Sequence, residues 1–228
     1  MIQVHHLNNS RSQRVLWLLE ELGLDYEVIR YERDRATMRA PAALQKIHPL
    51  GKSPVITDTN LQGGSRVIAE SGAIIEYLVE TYGQGRLVPP PGSEERLRYT
   101  YWLHYAEGSA MPLLLLKLIF SRMPKGAPAL VRPIVRGIAA KAQAMLVDPQ
   151  LDTHMTFWAD TLRAQGGWFA GADFTAADIQ MSFPLEAAAA RIELKPQHQP
   201  IRNFLELIHA RPAYRRALEK GGPYELLR

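Results

Sequence analysis

Residues 51–78 read GKSPVITDTNLQGGSRVIAESGAIIEYL. Pro54 opens the run Val55–Asp58, residues 60–64 carry a Gly-Gly turn, and residues 65–68 supply a second run, which predicts a β-hairpin. Glu70-Ser71-Gly72 then leads into a helix with Ile74, Ile75, Leu78 and Val79 at helical spacing. The first turn of a helix leaves backbone N–H groups unpaired, which suits a carboxylate. A trans proline at a strand start is the ordinary reading of Ser53-Pro54, since only about 5% of such bonds are cis. If cis, the step would turn the Ser53 N–H and C=O toward a bound peptide. These are the parts needed to hold a small acidic peptide by its main chain and its free end.

Working back toward the start of the chain, residues 2–7 read as a strand. Val15, Leu16, Leu18, Leu19 and Leu22 mark a helix that Gly23 ends. A second strand follows at Tyr26–Tyr31 and a less regular helical segment at 38–47. The order β-α-β-α-β-β-α, with a proline at the third strand, is the thioredoxin-like arrangement. The fold expected is therefore an α/β N-terminal thioredoxin-like domain (1–83), a linker (84–93) holding three consecutive prolines, and an all-α C-terminal helical domain (94–228). Helices are predicted at 94–121, 129–147, 152–165, 176–191, 200–209 and 213–220, with Pro112 kinking the first. In Phe174-Thr175-Ala176-Ala177-Asp178-Ile179, Thr175 caps a helix and Asp178 reaches back to the cap N–H. Phe174 and Ile179 stand where a hydrophobic staple closes, and Asp178 reads as a folding residue rather than a catalytic one.

The chain has 228 residues, 46% of them hydrophobic, enough to bury two small cores. It holds no run of about 18 apolar residues and opens directly on Ile2-Gln3-Val4, so the expectation is a cytoplasmic protein without a membrane partner. The net charge of +4 is spread along the chain. Its denser groups, at 30–39 and Arg215-Arg216, read as solvated faces rather than a nucleic-acid groove. A mildly positive field favours an anionic small substrate. There is no cysteine, which removes disulfides, zinc–thiolate sites and any protein thiol nucleophile. Sulfur chemistry would need a thiol from a bound ligand; no metal is expected.

Asn8-Asn9-Ser10-Arg11-Ser12-Gln13-Arg14 links the first strand to the positive end of the first helix. A hydroxyl here can donate to a thiolate and keep it ionised. Ser10 and Gln13 also match an S-x-x-Q capping box, and one hydroxyl can serve both purposes. At the other helix entrance, Ser71 is either a simple cap with Glu70 solvated, or the pair receives the carboxylate and ammonium of an α-amino-acid end.

SRSQRVLWLLEELGL, HPLGKSPVI, ESGAIIEYL and FTAADI, in this order and spacing, resemble a cytosolic glutathione S-transferase of the bacterial and fungal branch with a serine-type turn. The resemblance covers essentially the whole chain. It implies a homodimeric detoxification enzyme that joins glutathione, as co-substrate, to a small hydrophobic electrophile bound between the domains. Ser53, ahead of Pro54, falls where the family pairs with the cysteinyl backbone and usually carries valine or another apolar residue. Glu70 and Ser71 fall on the pair that holds the γ-glutamyl end, while Lys52 and His48 face the glycyl carboxylate. The activating residue falls on Ser10, with Ser12, Asn9 or a backbone N–H left open; Asn9 counts also among the glutathione contacts. Tyr105 and Met111 stand at the electrophile pocket. Alternatives on the same fold are a glutathione-dependent peroxidase, isomerase, dehalogenase or disulfide reductase, or a non-catalytic binding or regulatory protein.

Overall fold

A computed structural model describes residues 1–34, 36–60 and 64–227, with the side chain of residue 227 left aside. β1 (Ile2–Leu7), α1 (Ser12–Leu22) and β2 (Tyr26–Tyr31) form a β-α-β unit whose strands pair in parallel, Ile2 opposite Tyr26 and Leu7 opposite Tyr31. β3 (Val55–Asp58) runs antiparallel to β1, and β4 (Arg66–Ala69) antiparallel to β3, giving the order β2-β1-β3-β4. β4 lies one residue later than its sequence reading of 65–68, and the predicted turn at 60–64 falls largely outside the described residues. Residues 38–47 hold only a short 3₁₀ turn, Ala42–Lys46, in place of the predicted helix. Pro41 at its start and few buried positions leave it little to propagate on.

Alternation along β1 sorts its side chains. Ile2 and Val4 enter the core under α1, while Gln3 bonds Glu27 and His5 lies between Tyr31 and Thr57, each at 3.0 Å. α1 is buried nearly all round because it lies between the sheet and the helices that follow. Trp17 meets Tyr214 edge-on at 5.0 Å and Phe174 at 5.6 Å. Gly23, left-handed at φ 67°, ends α1 as its sequence predicts. α2 (Ser71–Tyr82) returns along the sheet, tied by Tyr77 and Tyr82 to the buried Asp58 carboxylate of β3.

Residues 83–93 run as turns into α3 (Glu94–Tyr105). α3 continues through a π-turn (Ala106–Ala110) into α4 (Met111–Gly126). Pro112 lacks the N–H that would bond back to residue 108, and the widened turn stands immediately before it. α5 (Arg132–Ala142) passes through another π-turn (Gln143–Val147) into α6 (Asp148–Ala164), so the predicted break at 147–152 is not one. Pro149 stands just past that π-turn, the kind of widened turn that accommodates a residue without an N–H inside a continuous helix. α7 (Ala176–Ala189), α8 (Gln199–Ala210) and α9 (Pro212–Gly221) complete the helical part. No helix among the described residues is long and apolar enough to cross a membrane.

The α7 cap forms as read. Asp178 is fully buried and accepts from the Thr175 N–H at 2.7 Å, the Thr175 hydroxyl at 3.0 Å and the Phe169 N–H at 2.8 Å. Burial pushes its carboxyl up to about 6, against the pull of those donors. Phe174 packs on Trp168 and Trp17, with Arg211 over its ring at 3.8 Å, so the staple position also joins the helical part to α1.

Candidate active site

Two cavities meet where the sheet faces the helical part. The smaller, about 90 Å³, is polar; Lys52, Ser53, Pro54, Glu70, Ser71 and His48 line it, together with Arg11 and Glu107. The larger, about 300 Å³, takes Asn9, Ser10, Met111, Leu115, Phe183 and Leu226 among its walls. Arg11 and Ser53 belong to both. The Ser53–Pro54 bond is cis. Ser53 is polar where the resemblance leads one to expect an apolar residue, and its hydroxyl is fully engaged. Its hydroxyl donates to the His5 carbonyl at 2.8 Å and accepts the Leu7 N–H at 3.3 Å, which stitches this loop to β1.

Ser10 reaches the larger cavity from the turn ahead of α1, with only 5% of its surface exposed. Its Oγ accepts the Ser12 N–H at 3.2 Å and lies 2.7 Å from Ser12 Oγ, which in turn lies 2.8 Å from His6 Nδ1. The S-x-x-Q box does not form: Arg11 occupies the cap position and makes no side-chain cap bond. Gln13 is instead buried toward α9, where a Cβ on Gly221 would stand 2.6 Å from Gln13 Oε1. Gly221 also lies beside the His6 imidazole, and its backbone favours the protonated ring. In the tautomer protonated at Nε2, Nδ1 accepts from Ser12, and Ser10 in turn donates to Ser12. Burial, and then the Arg30 charge, hold His6 down at about 4, so the imidazole is neutral.

Beneath the smaller cavity, Arg14 is 1% exposed and donates to Ser71 Oγ at 3.1 Å, to the Gln180 carbonyl at 2.6 Å and to Glu107. Burial lowers its pKa, and Glu107 acts against that. Glu107 also pairs with Arg11 at 3.0 Å, so one carboxylate from the π-turn holds two arginines from the start of α1. Ser71 is thereby fixed with its hydroxyl oxygen already accepting a bond, and its backbone N–H opens α2. Glu70, exposed and left-handed at φ 71°, extends its carboxylate at the rim.

The residues read from the sequence gather here with two exceptions. Tyr105 lies in the helical core: its hydroxyl pairs with His154 Nδ1 and accepts the Trp158 indole N–H at 3.0 Å, and its ring packs on Trp102 and Tyr101. The helix turns it away from the cavity, toward α6. Ser12 is fully buried behind Ser10. Asn9, left-handed at φ 51°, has its Oδ1 taken by the Glu225 N–H at 2.9 Å. Arg11, Arg14 and Glu107 were missed. Arg11 and Arg14 stand inside the quoted SRSQR motif, whereas nothing local marks Glu107. Arg33, read as part of a solvated face, is half-buried in the larger cavity wall.

Residues 10–81 match the family model for the glutathione S-transferase N-terminal domain. The chain is 38% identical to glutathione S-transferase 3 of Schizosaccharomyces pombe over 96% of this chain and 88% of that protein. It is 33% identical to glutathione S-transferase 1 of Saccharomyces cerevisiae over 97% of this chain and 95% of that protein. A crystal structure of a glutathione S-transferase from Actinobacillus pleuropneumoniae, 32% identical, superposes with a TM-score of 0.76 over 100% of this chain and 96% of that one.

Proposed function

The chain belongs to the glutathione S-transferase family, and we propose on that footing that it conjugates the glutathione thiolate to a small hydrophobic electrophile. The observation that carries this reading is the junction of the two cavities. A polar one suited to a peptide's charged ends shares Ser53 and Arg11 with a larger one that offers the apolar surfaces of Met111 and Phe183, with Ser10 beside the junction. Lys52 and His48 would meet the glycyl carboxylate. Ser71, through its N–H at the start of α2, would take the γ-glutamyl carboxylate, and Glu70 the neighbouring ammonium. The Ser53 main chain would pair with the cysteinyl backbone.

Lowering a thiol from about 8.5 to about 6.5 takes roughly 2.7 kcal/mol of preference for the thiolate. A hydroxyl donor and a helix N-terminus are of the right size together. Ser10 supplies the hydroxyl by turning its proton from Ser12 to the sulfur; Ser12 keeps its own bond to His6. The thiolate then attacks the electrophilic carbon, forming a C–S bond while the leaving group departs with its electron pair. Holding both reactants together lowers the remaining barrier.

Ultraviolet titration of glutathione bound to the wild type and to Ser10→Ala tests this reading. A depressed thiol pKa in the wild type should return toward the free value in the variant, with glutathione affinity changed by less than about threefold. A depressed pKa in both proteins would remove Ser10 from the role. Binding without a shift in either would favour a carrier or regulatory function. The enzyme is further proposed to act as a homodimer: Val67 on the edge strand β4, and Leu97 and Tyr101 on α3, are 45%, 67% and 47% exposed.

A further inference from the structure

Four guanidinium groups from four separate places in the chain line the larger cavity. Arg11 precedes α1, Arg33 follows β2, Arg122 stands near the end of α4, and Arg191 follows α7. Glu225 is the one carboxylate among the lining residues, and it is exposed. Arg11 is already paired with Glu107. Among the described residues, Arg33, Arg122 and Arg191 make no ion pair with an acidic side chain. Arg33 is anchored by donating to the carbonyls of Asn8 at 3.3 Å and Met38 at 3.2 Å, which leaves its charge unneutralised. Burial lowers Arg33, with Arg11 and Arg122 adding to the effect; burial and Arg122 lower Arg191.

Like charges gathered beside apolar walls repel one another, and the low-dielectric surroundings raise the worth of any anion that enters. The rest of the cavity is built for an apolar body: Met111, Leu115, Leu118, Phe183 and Leu226. Arg11 belongs to both cavities, whereas Arg33, Arg122 and Arg191 line only the larger one. The unpaired cations thus lie beyond the polar cavity, in the part that would receive the second reactant. A pocket for a purely neutral hydrophobe has no use for them.

We propose that the second substrate is an amphipathic carboxylate, its apolar body lying on Met111, Leu115 and Phe183 and its acid group held by Arg122 and Arg191. The assignment rests on the conjugation reading for the word substrate, while the anion site itself stands on the lining residues. In the reaction, the glutathione sulfur bonds to the activated carbon, the leaving group takes the electron pair, and the carboxylate remains unchanged.

The test compares 4-chloro-3,5-dinitrobenzoate with its methyl ester, each kcat/KM divided by the uncatalysed rate constant with glutathione at the same pH. The wild type should favour the acid by about tenfold, the sum of a half-buried Arg191 and an exposed Arg122 acting on one carboxylate. Arg122→Gln/Arg191→Gln should bring that preference to within about threefold, and Arg122→Lys/Arg191→Lys should recover part of it. Arg163→Gln/Arg215→Gln, which removes the same net charge elsewhere on the surface, should keep the preference. Conjugation of the ester with no preference for the acid, or a preference unmoved by the Gln pair, would overturn the proposal and leave the transferase reading intact.

A calorimetric titration separates the two readings. Unreactive 4-methyl-3,5-dinitrobenzoate and its methyl ester are added to wild type and the Gln pair, each saturated with S-methylglutathione. Acid-selective binding that the Gln pair loses, with no conjugation in any protein, would keep the anion site and remove the transferase. Equal binding of acid and ester would remove the anion site whatever the turnover.

Discussion

Ser10 has one proton and two claimants for it, Ser12 Oγ at 2.7 Å and, in the proposed complex, the glutathione sulfur. The direction of the chain from His6 through Ser12 decides how the first claim competes. With Nδ1 accepting from Ser12, Ser12 cannot donate to Ser10 and only receives its proton. Ser12→Ala should then leave the bound thiol pKa at or below the wild-type value, because the rival acceptor is gone. A rise toward the free value, read by the same ultraviolet titration, would mean that Ser12 donates to Ser10 and the histidine holds the opposite tautomer. Sequence left Asn9, Ser10 and Ser12 open because three neighbours in a turn are chemically similar. Backbone direction separates them: Ser10 borders the cavity, Ser12 faces His6, and Asn9 is engaged by the chain's last residues.

Among the elements, α7 depends on a carboxylate that is costly to bury. Asp178 gathers two backbone N–H groups and a hydroxyl, and burial still raises its carboxyl from an ordinary 3.8 to about 6. Between those values the native state binds a proton that the unfolded chain has released. Its contribution is therefore greatest below about 3.8 and declines as pH rises through about 6. Asp178→Asn should cost about 1–3 kcal/mol at neutral pH, since an amide cannot accept from all three donors. The wild-type advantage should widen as pH falls from 6 toward 4, measured by urea midpoints across that range; a gap that narrows would mean the shift has the opposite sign. The cap was legible because its partners are three residues apart. The π-turn that presents Glu107 was not, since a widened turn leaves the local pattern helical and only the pairing with Arg11 and Arg14 gives it a purpose.

At the scale of the whole molecule, exposed Val67, Leu97 and Tyr101 bear on assembly. Light scattering behind size exclusion should give twice the chain mass of 25.7 kDa, and Leu97→Glu/Tyr101→Glu should shift it toward one. A single-chain mass for the wild type would remove the homodimer. The order of the strands, the Gly23 stop and the α7 cap could be read from the chain, because each is set by neighbours within a few residues or by alternation along one element. The 38–47 segment and the 147–152 join could not, and Lys52, Ser53, Pro54, Glu70 and Ser71 were grouped by the family resemblance rather than by local pattern. Tertiary structure alone decided that Tyr105 belongs to the core and that α1 is buried nearly all round. It also brought Arg33, Arg122 and Arg191, far apart in the chain, to line one cavity. The physical reason is that a periodic pattern marks which face of a helix is apolar but not what that face meets. Charges from separate elements become a site only when packing brings them to the same wall.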